Sequence, residues 1–559
     1  MKKKKFFQPL AFAALTLLIL GYVFVKAMNL NPLYADGAFF WCSVITLYVL
    51  LWCFFRLGGS LGKVLSEPDE HGRIRLNFEG LHFAAFPKAA KLLIAVPWVL
   101  FFVMSVLSTV FFNYKAFRDQ LGDPQVQAFT SDIQAVDLSQ IPIVDKDLAA
   151  KLADKKLGER PSLGSQVYLG KPTIQRVDGK LLWAVPLHHS GFFKWITNLS
   201  GSAGYITVSA TNVNDVEYVE EYKIKYQPYS YFLHDLSRWV RFTSAPMTGI
   251  VDYSFELDDS GVPHWVVTTY KNRQFFALPE ATGVIVVNAT TGDSQRYGIA
   301  DVPGWVDRVQ PEDFVISQID NQGEYVHGFW NFSDKDKFKS SEGHAIVYNN
   351  GRCYLFTGLT SVGSDNSSIG FMMVDMVTKQ PLLYQMNGAT EQAGQSSAQG
   401  KVQHLRYTAT FPLIINADGV PTYFMTLKDA EGLIKQYAFV SVPNYSIVGT
   451  GETVALAYRN YEVALRQGGG NEDLTGEAGE QKETRGTVLR IASQYDGSRT
   501  LYYMVISINT GRIYTADASL SGELPLTREG DEVSLTYRES GDNPMVEVAG
   551  FDNLEFTQR

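Results

Sequence analysis

The chain has 559 residues, 46% hydrophobic, 13% aromatic and 19% charged; this is core-forming material that excludes a disordered chain, and its length implies several domains. The formal net charge of −9 is unevenly spread: residues 1–115 carry 12 Lys/Arg against 5 Asp/Glu, leaving 37 against 53 for the remainder. A larger part so acidic repels phosphate backbones, so no nucleic-acid partner is expected.

Three apolar stretches, Phe6–Val25, Ala38–Phe55 and Leu92–Phe112, contain no Asp, Glu, Lys or Arg. Each has the roughly 18 to 21 residues that a helix needs to cross a bilayer. Residues 1–114 therefore read as a three-helix membrane anchor. Basic residues concentrate at Lys2–Lys5 and in the loop 56–91, which holds Arg56, Lys63, Arg73, Arg75, Lys88 and Lys91, whereas Met28–Gly37 has none. The bias of positive charge toward the cytoplasm then puts the N-terminus and loop 56–91 inside. Residues 116–559 are expected outside, as part of an integral plasma (inner) membrane protein whose first partner is the lipid bilayer. Cys42 and Cys53 lie in the second helix and Cys353 is alone outside, so no disulfide can staple the outer part.

Residues 115–160 are expected to form a juxtamembrane connector with a short amphipathic run at Asp145–Leu157. Beyond it the chain repeats. Gly204–Tyr218, Gly283–Tyr297 and Gly370–Tyr384 align without gaps, and Gln436–Gly449 is a looser fourth copy. Each reads as a β-hairpin, with Val208, Val287, Val374 or Val440 at the equivalent place. A further strand precedes each: Leu181–Leu187, His264–Tyr270, Cys353–Leu359 and Thr422–Lys428. Helical patterns follow the second hairpin at Pro311 and the fourth at Val454–Leu465. The expectation is a three-stranded antiparallel meander covered by the helix that follows it, with two units in 161–310 and two in 311–466. Residues 467–485, rich in Gly and Glu, read as a flexible linker. Residues 486–559, with short strands between turns, read as a small β-barrel of OB or SH3 type. The fold class is α+β.

The stretch Gly261–Ile299, with Val287, Asn288, Ala289, Thr291 and Gly292 in a V-(D/N)-A-x-T-G pattern, resembles PepSY domains. The runs at Gly370 and Gly419 lack the T-G turn. The resemblance covers about 160 to 300 residues and none of the membrane part. It implies extracytoplasmic, non-catalytic binding or inhibitory modules and brings no catalytic residues.

Chemistry-bearing motifs are sparse. Gly58–Gly62 fits GxSxG and Ser60 with Lys63 fits SxxK, but both follow a membrane helix, and a nucleophile elbow needs a strand leading in. His188 and His189 are adjacent and point to opposite faces of a strand, which suits packing better than metal ligation. Glu256, Asp258 and Asp259 precede Gly261 as a solvated turn. No catalytic residue, metal site or cofactor is assigned. Paired Phe beside a cation recur between strands in Phe192, Phe193 and Trp195 near Lys194, and in Phe275 and Phe276 near Arg273; if exposed, these rings suit a partner protein, a peptide or the membrane interface. The expected function is a membrane-anchored extracytoplasmic binding or scaffolding protein with an envelope protein or peptide as partner, for instance a PepSY-like regulator of a peptidase. The alternative is a cell-envelope hydrolase with carboxylates drawn from different units.

Overall fold

The computed structural model describes residues 2–56, 86–133, 135, 137–362, 368–468, 481–495, 500–518, 520–538 and 545–557. It is α+β and divides into two compact units, Met1–Gly468 and Gly469–Arg559. Loop 57–85, the GxSxG segment within it and most of the expected linker lie outside the described residues.

Three helices in the first unit are long and apolar enough to span a membrane: Gln8–Lys26, Ala35–Arg56 and Lys88–Leu107. Little of their surface is covered within the protein, and leucines such as Leu17, Leu18 and Leu92 are open. A surface this apolar is stable only against a hydrocarbon solvent.

After the helices come four sheets built on one antiparallel design, the third of which also takes Gln125–Val126 in parallel beside Leu382 and Leu383. In each, four strand positions follow one another as a meander. The first position is split into two segments that pair along one neighbour in three sheets: Val167–Leu169 with Thr173–Val177, Phe338–Ser340 with Ala345–Asn349, and Thr408–Ala409 with Leu413–Ala417. The second sheet keeps it whole as Gly249–Leu257, with an irregularity between Val251 and Tyr253. The four preceding strands read from the sequence fall in Lys180–His189, Pro263–Gln274, Arg352–Ser361 and Val420–Lys428, each the second position, and the aligned hairpins are positions three and four. The three-stranded unit is thus corrected to four positions.

The leading glycine of the aligned hairpins has a structural cause. Gly283 (φ +146°) and Gly370 (φ +139°) each follow a bulged residue, and a Cβ there would press on the carbonyl oxygen of Tyr297 or Tyr384, the residue that closes the match. Gly204 meets Val219 in the same way. Gln436 takes the corresponding place after the bulge of the fourth sheet.

The helix order also differs from expectation. Lys146–Gly158 precedes the first sheet and covers its outer face, burying Leu148, Ala149, Ala153 and Leu157 against Val185, Leu187, Ile206 and Val208. It is therefore part of the core and not a spacer, which corrects the connector assigned to 115–160. Glu312–Glu324 likewise precedes the third sheet and packs Val315 and Ile319 on Leu355, Met372 and Val374. Of these three outer-face helices, Val454–Gly468 follows the sheet it covers, setting Ala457 and Tyr461 on Phe424 and Phe439. The reason is steric: the inner faces of sheets one and two, and of three and four, pack on each other and on Leu236–Thr243 or Glu391–Lys401, leaving three outer faces to the nearest helix and that of the second sheet to the segment 299–309, whose Val306 and Val309 lie on Val266, Val284 and Val286.

In the second unit Gln481–Tyr495 pairs at one end with Glu532–Arg538 and at the other with Thr500–Ile506. Thr500–Ile506 pairs with Ile513–Asp517, which runs parallel to Met545–Asn553, and that strand returns antiparallel to Glu532–Arg538. Because the first strand begins at Gln481, the linker read as 467–485 is shorter than its composition indicates: Lys482–Arg485 pair with Ser534–Tyr537 despite their charge, since alternate residues of an edge can face water.

Candidate functional site

A cleft of about 980 Å³ opens in the first unit, lined from the first, third and fourth sheets and from the segment leading into Lys146–Gly158. Its floor is apolar, with Ile143, Trp183, Ile346, Phe411 and Phe424. Its walls are charged, and the charges come from distant parts of the chain.

Two helices begin at this cleft. Asp145 caps the first, accepting the Leu148 N–H at 2.9 Å, and Lys146 opens it. The second helix opens with Glu312. Helix N-termini carry partial positive charge, and here they meet Lys146, Lys171, Arg308 and Lys428. Lys428 pairs with Asp145 and Arg308 with Glu312 at 2.9 Å, while the second Glu312 oxygen takes His344 Nε2 at 2.9 Å. The His344 hydrogen bond, with Arg308, holds the Glu312 carboxyl down at about 2, so it is ionised at neutral pH. Among the described residues neither Lys146 nor Lys171 pairs with a carboxylate. Burial and the nearby Lys171 and Arg308 charges push the Lys146 ammonium below its ordinary value. The cleft therefore has the exposed lysines Lys146, Lys151 and Lys171 above an apolar floor, with Lys151 donating to the Glu431 carbonyl and Asp147 beside Lys146, while Asp145 and Glu312 are engaged by Lys428, Arg308 and His344 and Asp429 by Lys435.

Behind Arg308 lies a second charged group, outside the cleft lining. Glu256 is fully buried; one carboxyl oxygen accepts the Asp307 N–H at 3.0 Å and the other has no partner. Asp307 accepts from the Arg176 N–H at 3.1 Å and the Tyr348 hydroxyl at 2.8 Å. Burial, reinforced by Asp307, pushes the Glu256 carboxyl up to about 8. Burial also raises Asp307.

The residues picked from sequence fall elsewhere. Trp195 is buried and its indole donates to His234 at 3.0 Å, whereas Phe193 is 79% exposed and Phe192 and Phe275 are partly open. Phe276 packs on Phe101 of the third membrane helix, ring centroids 5.6 Å apart. The two phenylalanine pairs thus lie in separate places, each beside a membrane-proximal segment. His188 and His189 are both buried; His188 meets Gln227 at 3.2 Å, and burial lowers it to about 4, so it packs as a neutral ring. Asp258 caps its own turn, accepting from Ser260 and Val262 at 2.9 Å. No group of three His, Cys, Asp or Glu among the described residues is placed to hold a metal. The cleft residues were missed because they span positions 142 to 432 with no fixed spacing; the local signals beside the cleft are the amphipathic run that opens at Asp145 and the helical pattern that opens at Pro311.

No protein-family model and no curated protein matches the chain. Among solved structures it is similar to a mutant of B. megaterium levansucrase, at 9% identity over 74% of this chain and 97% of that one, with a TM-score of 0.17. A glycoside hydrolase matches at 9% identity over 61% of this chain and 84% of its own length, with a TM-score of 0.16. Likeness at this level carries no argument about fold or activity.

Proposed function

We propose that the chain is a membrane-anchored binding protein that presents the cleft, outside the cytoplasm, to an acidic segment of an envelope protein or peptide. The observation that carries this reading is the pair of cleft ammonium groups, Lys146 and Lys171, that no carboxylate pairs with among the described residues, above an apolar floor in an otherwise acidic body. A local positive field on an acidic protein selects and steers an anionic partner, and the apolar floor supplies area for side chains beside its carboxylates. The repeated sheets and the Gly261–Ile299 stretch are read as PepSY-like modules in a regulatory role. The strand order of the second unit, with its parallel third and fifth strands, favours an OB-type barrel over an SH3 type.

Sidedness rests on the charge bias and on a compatible contact pattern. The turn after the first membrane helix and the exit of the third both touch the second sheet: Tyr34 donates to the Tyr270 carbonyl at 2.8 Å, and Ser108 accepts from the Phe276 N–H at 3.0 Å. Protease added outside intact spheroplasts is expected to degrade residues 116–559, and a cytosolic reporter fused at Arg559 is expected to be silent.

The hydrolase reading needs a protonated carboxyl facing substrate. Glu312 in the cleft is held ionised and Glu256, held protonated, does not line the cleft, so binding is favoured. The test is titration of the full chain in lipid nanodiscs with an acidic peptide library. Binders are expected to weaken with salt, and Lys146→Glu with Lys171→Glu is expected to weaken them about tenfold or more (~1.4 kcal/mol). Binding that ignores both salt and charge reversal would remove the cleft from this role.

A further inference from the structure

Most of the strongly exposed aromatic rings of the sheet-bearing body, Tyr445 apart, fall into three groups that sit where the apolar helices end. The first is Phe193, Tyr229 and Phe232, which are 79%, 89% and 60% exposed. They join the first membrane helix through Arg238, which donates to the Phe232 carbonyl at 2.7 Å and lies over the Phe24 ring at 5.7 Å, and through Phe242, 5.8 Å from Phe24. Buried Arg241, on the same helix as Arg238, donates to the Ala27 carbonyl at 3.2 Å and fixes this junction. The second group is the hairpin tip Phe275–Phe276, with Phe275 exposed and Phe276 against Phe101 near the end of the third membrane helix. The third is Trp330 and Phe332, 68% and 78% exposed, joined by Phe329 and Trp330 to Phe111 just beyond that helix.

Rings on a soluble surface cost free energy unless something covers them. Here the cover adjoins a surface already committed to hydrocarbon. At the depth where spanning helices leave the bilayer, Tyr229 and Trp330 are rings of the interfacial-belt type and the phenylalanines beside them add apolar area, while the nearby cations Lys194, Arg238 and Arg273 suit lipid phosphates.

We propose that these three groups form an aromatic collar that docks the sheet-bearing body face-down on the bilayer, at headgroup depth around the helix exits. This rests on the helices crossing a membrane and adds that the body is seated on it rather than tethered above it. The occupant is the lipid surface. The candidate rings Phe192, Phe193, Phe275 and Phe276 then serve the membrane interface, with Trp195 as the buried base of the first group.

The experiment is spin-label depth measurement on the full chain in lipid nanodiscs. Phe193→Cys, Phe275→Cys and Phe332→Cys carry the label in turn, with Leu17→Cys as reporter of the first membrane helix; the native cysteines are all buried, which leaves the introduced thiol the reactive one. Labels at 193, 275 and 332 are expected to show several-fold less access to a water-soluble nickel complex, and more to oxygen, than a free aqueous label, with position 17 deeper still. If position 17 reads as hydrocarbon while the other three read as aqueous, the collar is overturned and the anchor stands. An aqueous reading at 17 overturns both. Protection at 193 and 332 in native membranes that is absent from pure-lipid nanodiscs gives the face to a protein and overturns the lipid assignment.

Discussion

Gly283→Ala is expected to destabilise the first unit by about 3 to 5 kcal/mol, read as a lower denaturation midpoint of the purified full chain. Two costs add. A φ of +146° is open almost only to glycine, about 1 to 3 kcal/mol for another residue. The new methyl also has to displace the Tyr297 carbonyl from a paired strand, and forced overpacking costs a similar amount. Gly370→Ala should behave alike, since its neighbour is the Tyr384 carbonyl. Gly419→Ala is the control: its φ is +85°, but nothing lies within 4 Å of the added Cβ, so about 1 kcal/mol is expected. Equal losses at 283 and 419 would show that the carbonyl contact is not the cause.

Replacing Glu256 by Gln is expected to stabilise the protein at alkaline pH and to remove part of its pH dependence. The folded-state value of about 8 lies above the ordinary 4.5. Below about 4.5 both folded and unfolded carboxyls are protonated and burial costs no charge. As pH rises toward about 8 the unfolded chain ionises and the folded one does not, so stability falls across that window and levels off above it. At about 1.4 kcal/mol per unit, the glutamine variant should gain on the order of 5 kcal/mol above pH 8 and nothing below pH 4.5. Glutamine keeps an acceptor for the Asp307 N–H. Asp307, Arg308, Arg176, Tyr348 and Cys353 surround the site, and Asp307, itself raised by burial, leaves a residual slope. A variant whose stability parallels the parent from about pH 5 to 9 would show that Glu256 is ionised in the fold.

Some of this fold is legible because its causes are local. The membrane helices are runs of apolar residues, and the hairpins announce themselves because Gly283 and Tyr297 belong to neighbouring strands of one ladder, Gly283 opposite Gly298 and Tyr297 opposite Val284. The first strand of each sheet was overlooked even though its turn is written in the chain. Asp178-Gly179, Asn350-Gly351 and Asp418-Gly419 all have positive φ in two-residue loops, the turn that Asp-Gly and Asn-Gly favour.

Residue order alone decides the three membrane-length segments, the α+β class and the fourfold recurrence of strands, since each depends on neighbours within about 20 positions. Folding decides which helix lies on which sheet, that Lys146 and Lys171 share a cleft with Arg308 and His344, and that Glu256 loses its water. Those outcomes depend on two sheet pairs closing face to face. Burial and Coulomb terms follow distance in space, and no interval along the chain encodes the approach of position 146 to 312 or of 256 to 307.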